Sequence, residues 1–362
     1  MSSNNPLRRI FDLYISDLRF EEIERLVKRE SAEIYEFYKN EIPKPDITQN
    51  KFIRSLIFIR SLFNAFLLKM SAARRVFYLA SLLIFIIGYM NGTGSYVVLS
   101  FIIINILLAF ELADKLIVKD EIQLARKIQK NLLPVEVPEN KFFDISAHSE
   151  PAKEVGGDYF EFIEVPKGKK TFIVIGDISG KGMAAALYMV RVQAIIQFLI
   201  QNFESLSSLI VNLKKYFSQR LRKEYFLTLL ASTINEDGSI TFCRAGHSPV
   251  YHYKKDENRI DTLAPKGIGI GLNDKGIFEK TIEEITIKPN SGDLFILITD
   301  GITEAMNNYK QQFGEKRLIN LIIQNADKTP DEIKDRLLLT LNRFRNDFPQ
   351  HDDQTIIILK TK

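Results

Sequence analysis

Four points in this 362-residue chain place an aspartate where an apolar or β-rich run meets a turn. They are Gly156-Gly157-Asp158, Gly176-Asp177-Ile178-Ser179-Gly180, Thr299-Asp300-Gly301 and Asp352-Asp353-Gln354-Thr355. Asp177 and Asp300 follow almost wholly apolar runs, FIVIG and LFILIT. A buried strand that ends on a carboxylate aims that charge at a defined point. Glycine beside it lets a backbone carbonyl or a ligand come close. Carboxylates converging without partners repel one another and their pKa values rise, a conflict that a divalent cation removes. All-oxygen donors suit Mg2+ or Mn2+, with water completing the coordination. Two such ions activate a water and clamp a phosphoryl group. Singly, an Asp-Gly after a strand reads as a turn and an Asp-Asp near the C-terminus as a solvated loop. It is the repetition of one context, in order, that points to a site.

The elements that must position these carboxylates lie in residues 138–362. Strand patterns cover Phe142–His148, Tyr159–Val165, Thr171–Ile175, Phe226–Ile234, Ser239–Ala245, Ile282–Ile287, Leu294–Thr299 and Thr355–Leu359. Asn235-Glu236-Asp237-Gly238 joins two of them as a hairpin turn. Helical patterns cover Met183–Gln201, Leu206–Arg222, Lys316–Asn325 and Asp331–Phe348. Consecutive strands without intervening helices exclude a simple alternating doubly wound fold and predict α+β architecture with antiparallel sheets. Cys243 is expected in a core strand.

Ahead of this domain the composition changes. Up to about residue 45, Phe20, Ile23, Leu26, Val27, Ile34 and Phe37 recur at helical spacing, and Pro43 and Pro45 end the pattern. Residues 1–70 read as an N-terminal cytoplasmic helical region. Residues 71–112 hold two apolar runs, 76–90 and 95–112, joined by the turn Asn91-Gly92-Thr93-Gly94. The longer run spans roughly 27 Å as a helix, close to a bilayer's hydrocarbon thickness. The pair predicts a membrane hairpin, with Arg74 and Arg75 reaching for the interface; a pair of buried core helices is the other reading. No acid occurs between Ile47 and Phe110, whereas Lys51, Arg54, Arg60, Lys69, Arg74 and Arg75 precede the hairpin and Lys115 and Lys119 follow it. That asymmetry places both termini in the cytoplasm, with the protein multi-pass in the bacterial inner membrane. Residues 52–68 fit a helix on the inner membrane surface or a third packed helix. Residues 113–137 read as a helical linker, in which Ile117, Leu124 and Ile128 form an apolar seam too short to define a coiled coil; the segment is a plain helical connector or one that carries homodimer geometry from the membrane to the domain.

Bulk properties narrow the class. Hydrophobic residues make up 46% of the chain, which excludes a disordered polypeptide, and a net charge of +4 gives no case for nucleic acid. A lone cysteine forms no internal disulfide and belongs to no zinc-type cluster. MSSNNPLRRIFDLYISDL contains no apolar stretch of a cleaved signal.

The ordered strings Gln123-Leu124-Ala125-Arg126-Lys127-Ile128-Gln129 with Leu132-Leu133-Pro134, PAKEVGGDYFEF, GDISGKGMAAALYM, AGHSP, GIGIGL, TDGITEA and DDQT cover about two thirds of the chain. With them the chain resembles the metal-dependent, type 2C (PPM) serine/threonine phosphatases of the bacterial RsbU/SpoIIE branch. The resemblance implies a β-sandwich flanked by helices and two Mn2+ or Mg2+ ions. It implies that Asp177 bridges both ions, that Asp158 and the Ile178 backbone carbonyl serve one, and that Asp300 and Asp352 serve the other, with Asp353 behind Asp352. It further implies attack by metal-bound hydroxide on phosphoserine or phosphothreonine, in a regulatory protein of the STAS-type anti-sigma-factor-antagonist class. Lys153 is a candidate phosphate contact or a solvated lysine. His247 is a candidate general acid or a buried residue fixing its loop. A phosphatase-like adaptor without activity, or a membrane scaffold, is the alternative; loss of metal carboxylates is expected there, and all four are present.

Overall fold

The computed structural model describes residues 51–362 except 135, 166–169, 220, 223, 273–275 and 347, so the amphipathic pattern expected before Pro43 lies outside the described residues. Two compact units divide the chain, Met1–Ile117 and Val118–Lys362. In the first, helix α1 spans Lys51–Lys69 and α2 spans Ala72–Met90. Helix α3 begins at Gly94 and continues without a break to Leu132. The second hairpin helix and the linker, separate in the sequence reading, are thus one 39-residue helix, about 58 Å long at 1.5 Å per residue. Nothing between Gly94 and Pro134 interrupts the helical backbone.

Small residues line the contact between α2 and α3. Ser81 and Ser100 are buried, and a Cβ on Gly88 would stand 2.8 Å from Cβ of Tyr96. Large apolar side chains such as Val76, Phe77, Leu83, Phe101 and Leu108 point outward. Arg74 pairs with Glu111 at 3.0 Å and Asp114 at 2.7 Å, and Arg75 donates to the carbonyls of Leu67, Leu68 and Met70. Both arginines therefore have protein partners where the sequence reading has them reach for an interface.

The second unit contains two five-stranded antiparallel sheets. One runs β1–β10–β9–β6–β7, from Phe143–Glu150, Gln354–Thr361, Leu294–Ile298, Val250–Lys254 and Arg259–Leu263. The other runs β2–β3–β4–β5–β8, from Tyr159–Val165, Lys170–Ile178, Leu227–Ile234, Ile240–Ala245 and Glu284–Ile287. Helices α4 (Met183–Leu199) and α5 (Leu206–Ser218) cover the second sheet. Helices α8 (Gly314–Asn325) and α9 (Pro330–Arg345) cover the first, and α6 (Phe278–Thr281) and α7 (Asp300–Thr303) are short turns of helix.

Strand alternation explains the layers. On β3, Phe172 and Val174 face the helices, while Ile173 and Ile175 enter the core between the sheets. On β10, Ile356 and Ile358 face α8 and α9, while Ile357 and Leu359 meet the opposite sheet. A central strand buried on both faces has no polar side, and that is why these runs are continuously apolar. Length and composition alone would let α2, α3 and the helix from Met183 cross a membrane. The last is a core helix, since Ala185, Met189, Val192 and Ile196 are buried in the sheet-helix core.

Two strands escaped the sequence reading. β6 (VYHYK) has His252 at its centre, stacked on Phe295 at 4.3 Å, and β7 (RIDTL) is a largely solvated edge. Neither shows an apolar run.

Candidate metal centre

The four aspartates meet at one end of the sandwich. Tyr159 pairs with Gly176 in the β2–β3 ladder, so Asp158 and Asp177 are neighbours across two strands. In the other sheet Ile298 pairs with Ile356, and the Thr299 N–H donates to the Thr355 carbonyl at 3.1 Å. This brings Asp300 beside Asp352. The end of β3, the start of β2, the end of β9 and the start of β10 thus each deliver one acid.

Asp158 is 6% exposed. Its Oδ2 accepts from the hydroxyls of Thr299 at 2.9 Å and Thr355 at 2.6 Å, while Oδ1 takes no hydrogen bond from the described residues. Burial, then the charges of Asp177 and Asp353, push its pKa well above the carboxylate range against the pull of those hydroxyls. Asp177 is pushed to about 7, first by burial and then by Asp300, Asp352 and Asp353. Asp300 is raised by burial and by Asp352. Asp177 accepts no hydrogen bond among the described residues, and the charge of Lys181 offsets part of its rise.

Glycine opens the space. A Cβ on Gly157 would sit 2.8 Å from the Ile178 carbonyl oxygen and 3.3 Å from Asp177 Oδ1. The Ile178 carbonyl and the Asp177 carboxylate therefore flank the same gap. Among the described residues, no three of the His, Cys, Asp and Glu side chains close around one point as a finished cage. Mg2+-like ions need none, since they take one or two carboxylates each and complete their shells with water and phosphate. The donor set fits: all oxygen, buried, mutually repelling, and short of protein cations.

A family model described as Stage II sporulation protein E (SpoIIE) matches residues 167–362. The chain belongs to the SpoIIE family. It is 31% identical over 253 residues to Phosphoserine phosphatase RsbU of Bacillus subtilis (strain 168), covering 68% of this chain and 71% of RsbU. The fold is shared with the SiaA-PP2C domain of Pseudomonas aeruginosa, with a TM-score of 0.59, 20% identity, and coverage of 69% of this chain and 99% of that one. It is shared too with the RsbU and RsbW domains of Rv1364c from Mycobacterium tuberculosis, with a TM-score of 0.54, 22% identity, and coverage of 64% and 63%. The second unit is a PP2C-type domain, and the chain is a protein serine/threonine phosphatase of the RsbU/SpoIIE kind.

Within this SpoIIE-family domain, two functional positions stand out that motif reading underrated. Asp353 does more than stand behind Asp352. Its carboxylate accepts the backbone N–H of Ala152 at 2.7 Å, Gly157 at 2.6 Å and Asp158 at 3.4 Å, so it shapes the loop that carries Asp158. Among the described residues, Lys181 is the base that pairs with one of the four acids: its Nζ lies 3.1 Å from Asp352 Oδ2 and donates to the His351 carbonyl. Its signal was its place between Gly180 and Gly182, four residues past Asp177; both glycines have positive φ, +96° and +77°. Lys153, by contrast, is exposed and makes no hydrogen bond or ion pair with the described residues. His247 is buried, pairs through Nδ1 with the Thr228 hydroxyl at 2.9 Å, and is held neutral by burial, which lowers its pKa to about 3. That is the behaviour of a residue fixing its loop. Cys243 is buried in β5, and its pKa is pushed up to about 12, so it is no nucleophile.

Proposed function

We propose that this chain is a membrane-anchored, two-metal phosphatase that removes phosphate from phosphoserine or phosphothreonine on a STAS-type anti-sigma-factor antagonist. The observation that carries the chemistry is the convergence of Asp158, Asp177, Asp300 and Asp352 from four strand ends, with Asp177 accepting no hydrogen bond among the described residues. When bound, two Mn2+ or Mg2+ ions supply Lewis acidity to the phosphoryl oxygens and activate the attacking water. Asp177 would hold both, Asp158 and the Ile178 carbonyl one, and Asp300 and Asp352 the other. Asp353 and the two threonine hydroxyls orient Asp158. Lys181, at the rim beside Asp352, takes over the role of phosphate contact considered for Lys153. RsbU is named a phosphoserine phosphatase, and the resemblance to it supports phosphoserine as the group attacked.

Anchoring is supported by the outward apolar side chains of α2 and the first half of α3, with close packing at Gly88, Ser81 and Ser100. The charge asymmetry supports cytoplasmic placement of the phosphatase domain in the inner membrane. Ile117, Leu124 and Ile128 are each more than half exposed on α3, and we assign them to a homodimer seam.

The test is phosphate release by the full chain in detergent with Mn2+, from an aryl phosphate and from a phosphorylated STAS-domain protein. Asp177→Asn is expected to abolish both. Retained turnover in that variant would move the bridging role elsewhere, and no release from any substrate by the parent chain would sink the reading.

A further inference from the structure

Gln129 lies near the end of α3 and is only 8% exposed, although Ile128 beside it is 55% exposed and Leu132 38%. Its amide reaches a backbone 27 residues away. Nε2 donates to the Gly156 carbonyl at 2.7 Å, and Oε1 accepts the Gly156 N–H at 3.1 Å. One side chain thus satisfies both backbone groups of one buried glycine.

The next residues in that loop are held from the other side. Asp353 takes the N–H of Gly157 and of Asp158. The Gly157 carbonyl accepts from Ile178 N–H at 3.3 Å, which ties the loop to the end of β3. A Cβ on Gly156 would stand 2.4 Å from Asp353 Oδ2, so the glycine is pressed between Gln129 and Asp353. The helix end has its own anchors. Leu133 packs against both the sheet-helix core and the inter-sheet core, and Gln193 Nε2 donates to the Leu132 carbonyl at 2.7 Å. The helix end therefore has anchors besides the Gly156 contact, whereas the loop is secured on its outer side by Gln129.

We infer that Gln129 is a positioning residue: through the Gly156 backbone it sets where Asp158 stands opposite Asp177. This rests on the metal-centre reading above. Without Gln129, the two buried backbone groups of Gly156 lose their partners, and the loop is held only from the side of Asp353 and β3.

The experiment uses the full chain in detergent micelles with three substitutions. Gln129→Met keeps side-chain length and helix propensity and removes both bonds. Gln129→Glu keeps an acceptor for Gly156 N–H and removes the donor. Gln193→Met loosens the helix end without touching Gly156. The readouts are Mn2+ binding followed by the electron paramagnetic resonance of free Mn2+, backbone hydrogen exchange over 152–158, and thermal unfolding. Gln129→Met is expected to raise the Mn2+ midpoint about tenfold, the equivalent of one to two net hydrogen bonds, and to speed exchange at 156–158. Gln129→Glu should give a smaller rise. Gln193→Met should lower the unfolding temperature while the Mn2+ midpoint stays within about twofold, as expected for a loss confined to stability. An unmoved midpoint and unmoved exchange in folded Gln129→Met overturn the inference; if that variant does not fold, the same result in Gln129→Glu does so. An equal shift in Gln193→Met also overturns it, because the effect would then belong to helix docking in general. Failure of the parent chain to bind Mn2+ counts against the metal centre instead, and the exchange comparison still decides whether Gln129 sets the loop.

Discussion

Gly301 offers the sharpest test of how the acids are held. A Cβ there would lie 1.9 Å from the Asp353 carbonyl oxygen and 3.3 Å from Asp352 Cβ. An unstrained carbon–oxygen contact is about 3.3 Å, so Gly301→Ala must separate the Asp300 turn from the Asp352–Asp353 segment by about 1.4 Å. The obstacle is backbone, and no rotamer relieves it. The Gln354 side-chain bond to the Gly301 carbonyl, 3.2 Å, lies in the path of that movement. Overpacking of this kind costs about 1–3 kcal/mol, or roughly 3–10 °C in unfolding temperature for a domain of this size. The functional loss is larger, because a misplacement of about 1 Å in a catalytic constellation costs on the order of 10²-fold. Gly238→Ala is the matched control. Gly238 has φ of +78° in the β4–β5 turn, at the opposite end of the strands from Asp177, so it loses stability by a similar order without moving an acid. Steady-state phosphate release with saturating Mn2+ and thermal unfolding of both variants make the measurement. If Gly301→Ala keeps parental kcat, or if the two variants lose activity in proportion to stability, the account of the turn as a spacer between Asp300 and Asp352 is wrong.

Two further outcomes follow from the same geometry. Lys181→Ala is expected to raise KM for the phosphoprotein about tenfold, the scale of one charge-assisted hydrogen bond, while Lys153→Ala stays near parental; the reverse ranking would return the phosphate contact to Lys153. His247 has a folded pKa near 3 against an ordinary 6.5, so the unfolded chain binds the extra proton between those values. Its contribution to stability is therefore complete above pH 6.5 and is lost as pH falls toward 3, by about 3 kcal/mol over the first two units. Urea unfolding at pH 7.5, 6.5, 5.5 and 4.5 should show a flatter profile in His247→Gln than in the parent chain; parallel profiles would refute this role.

What was legible in the sequence follows from which groups are buried on how many sides. β3, β9 and β10 are buried on both faces, so they print as unbroken apolar runs, and acids that repeat at the ends of such runs stand out from single turn residues. Asp177 and Asp300 were visible for that reason, while Asp158 and Asp352 were visible through the Gly-Gly-Asp and Asp-Asp-Gln-Thr strings that share their context. β6 is equally buried but fills its centre with His252, whose imidazole finds Phe295 on one face and Asp293 Oδ2 at 3.2 Å. A polar residue satisfied by its tertiary partners breaks the apolar pattern that would have announced the strand. The same logic hid the supports of the site. Asp352 and Asp353 are identical in type and adjacent, and only the placement of Ala152, Gly157 and Asp158 shows that Asp353 gathers backbone N–H groups while Asp352 faces Lys181. Gln129 sits in a stretch of α3, residues 121–131, whose other polar side chains are exposed, and its partner is a glycine, which carries no side-chain signal of its own. Carboxylates that meet a ligand are thus announced by the strands that carry them. Residues that hold those carboxylates in register bond to backbone, and backbone has no letter in the sequence. Tests confined to the aspartates would therefore probe the part of the site already legible; the informative substitutions are Gly301, Asp353 and Gln129, where geometry alone makes the claim.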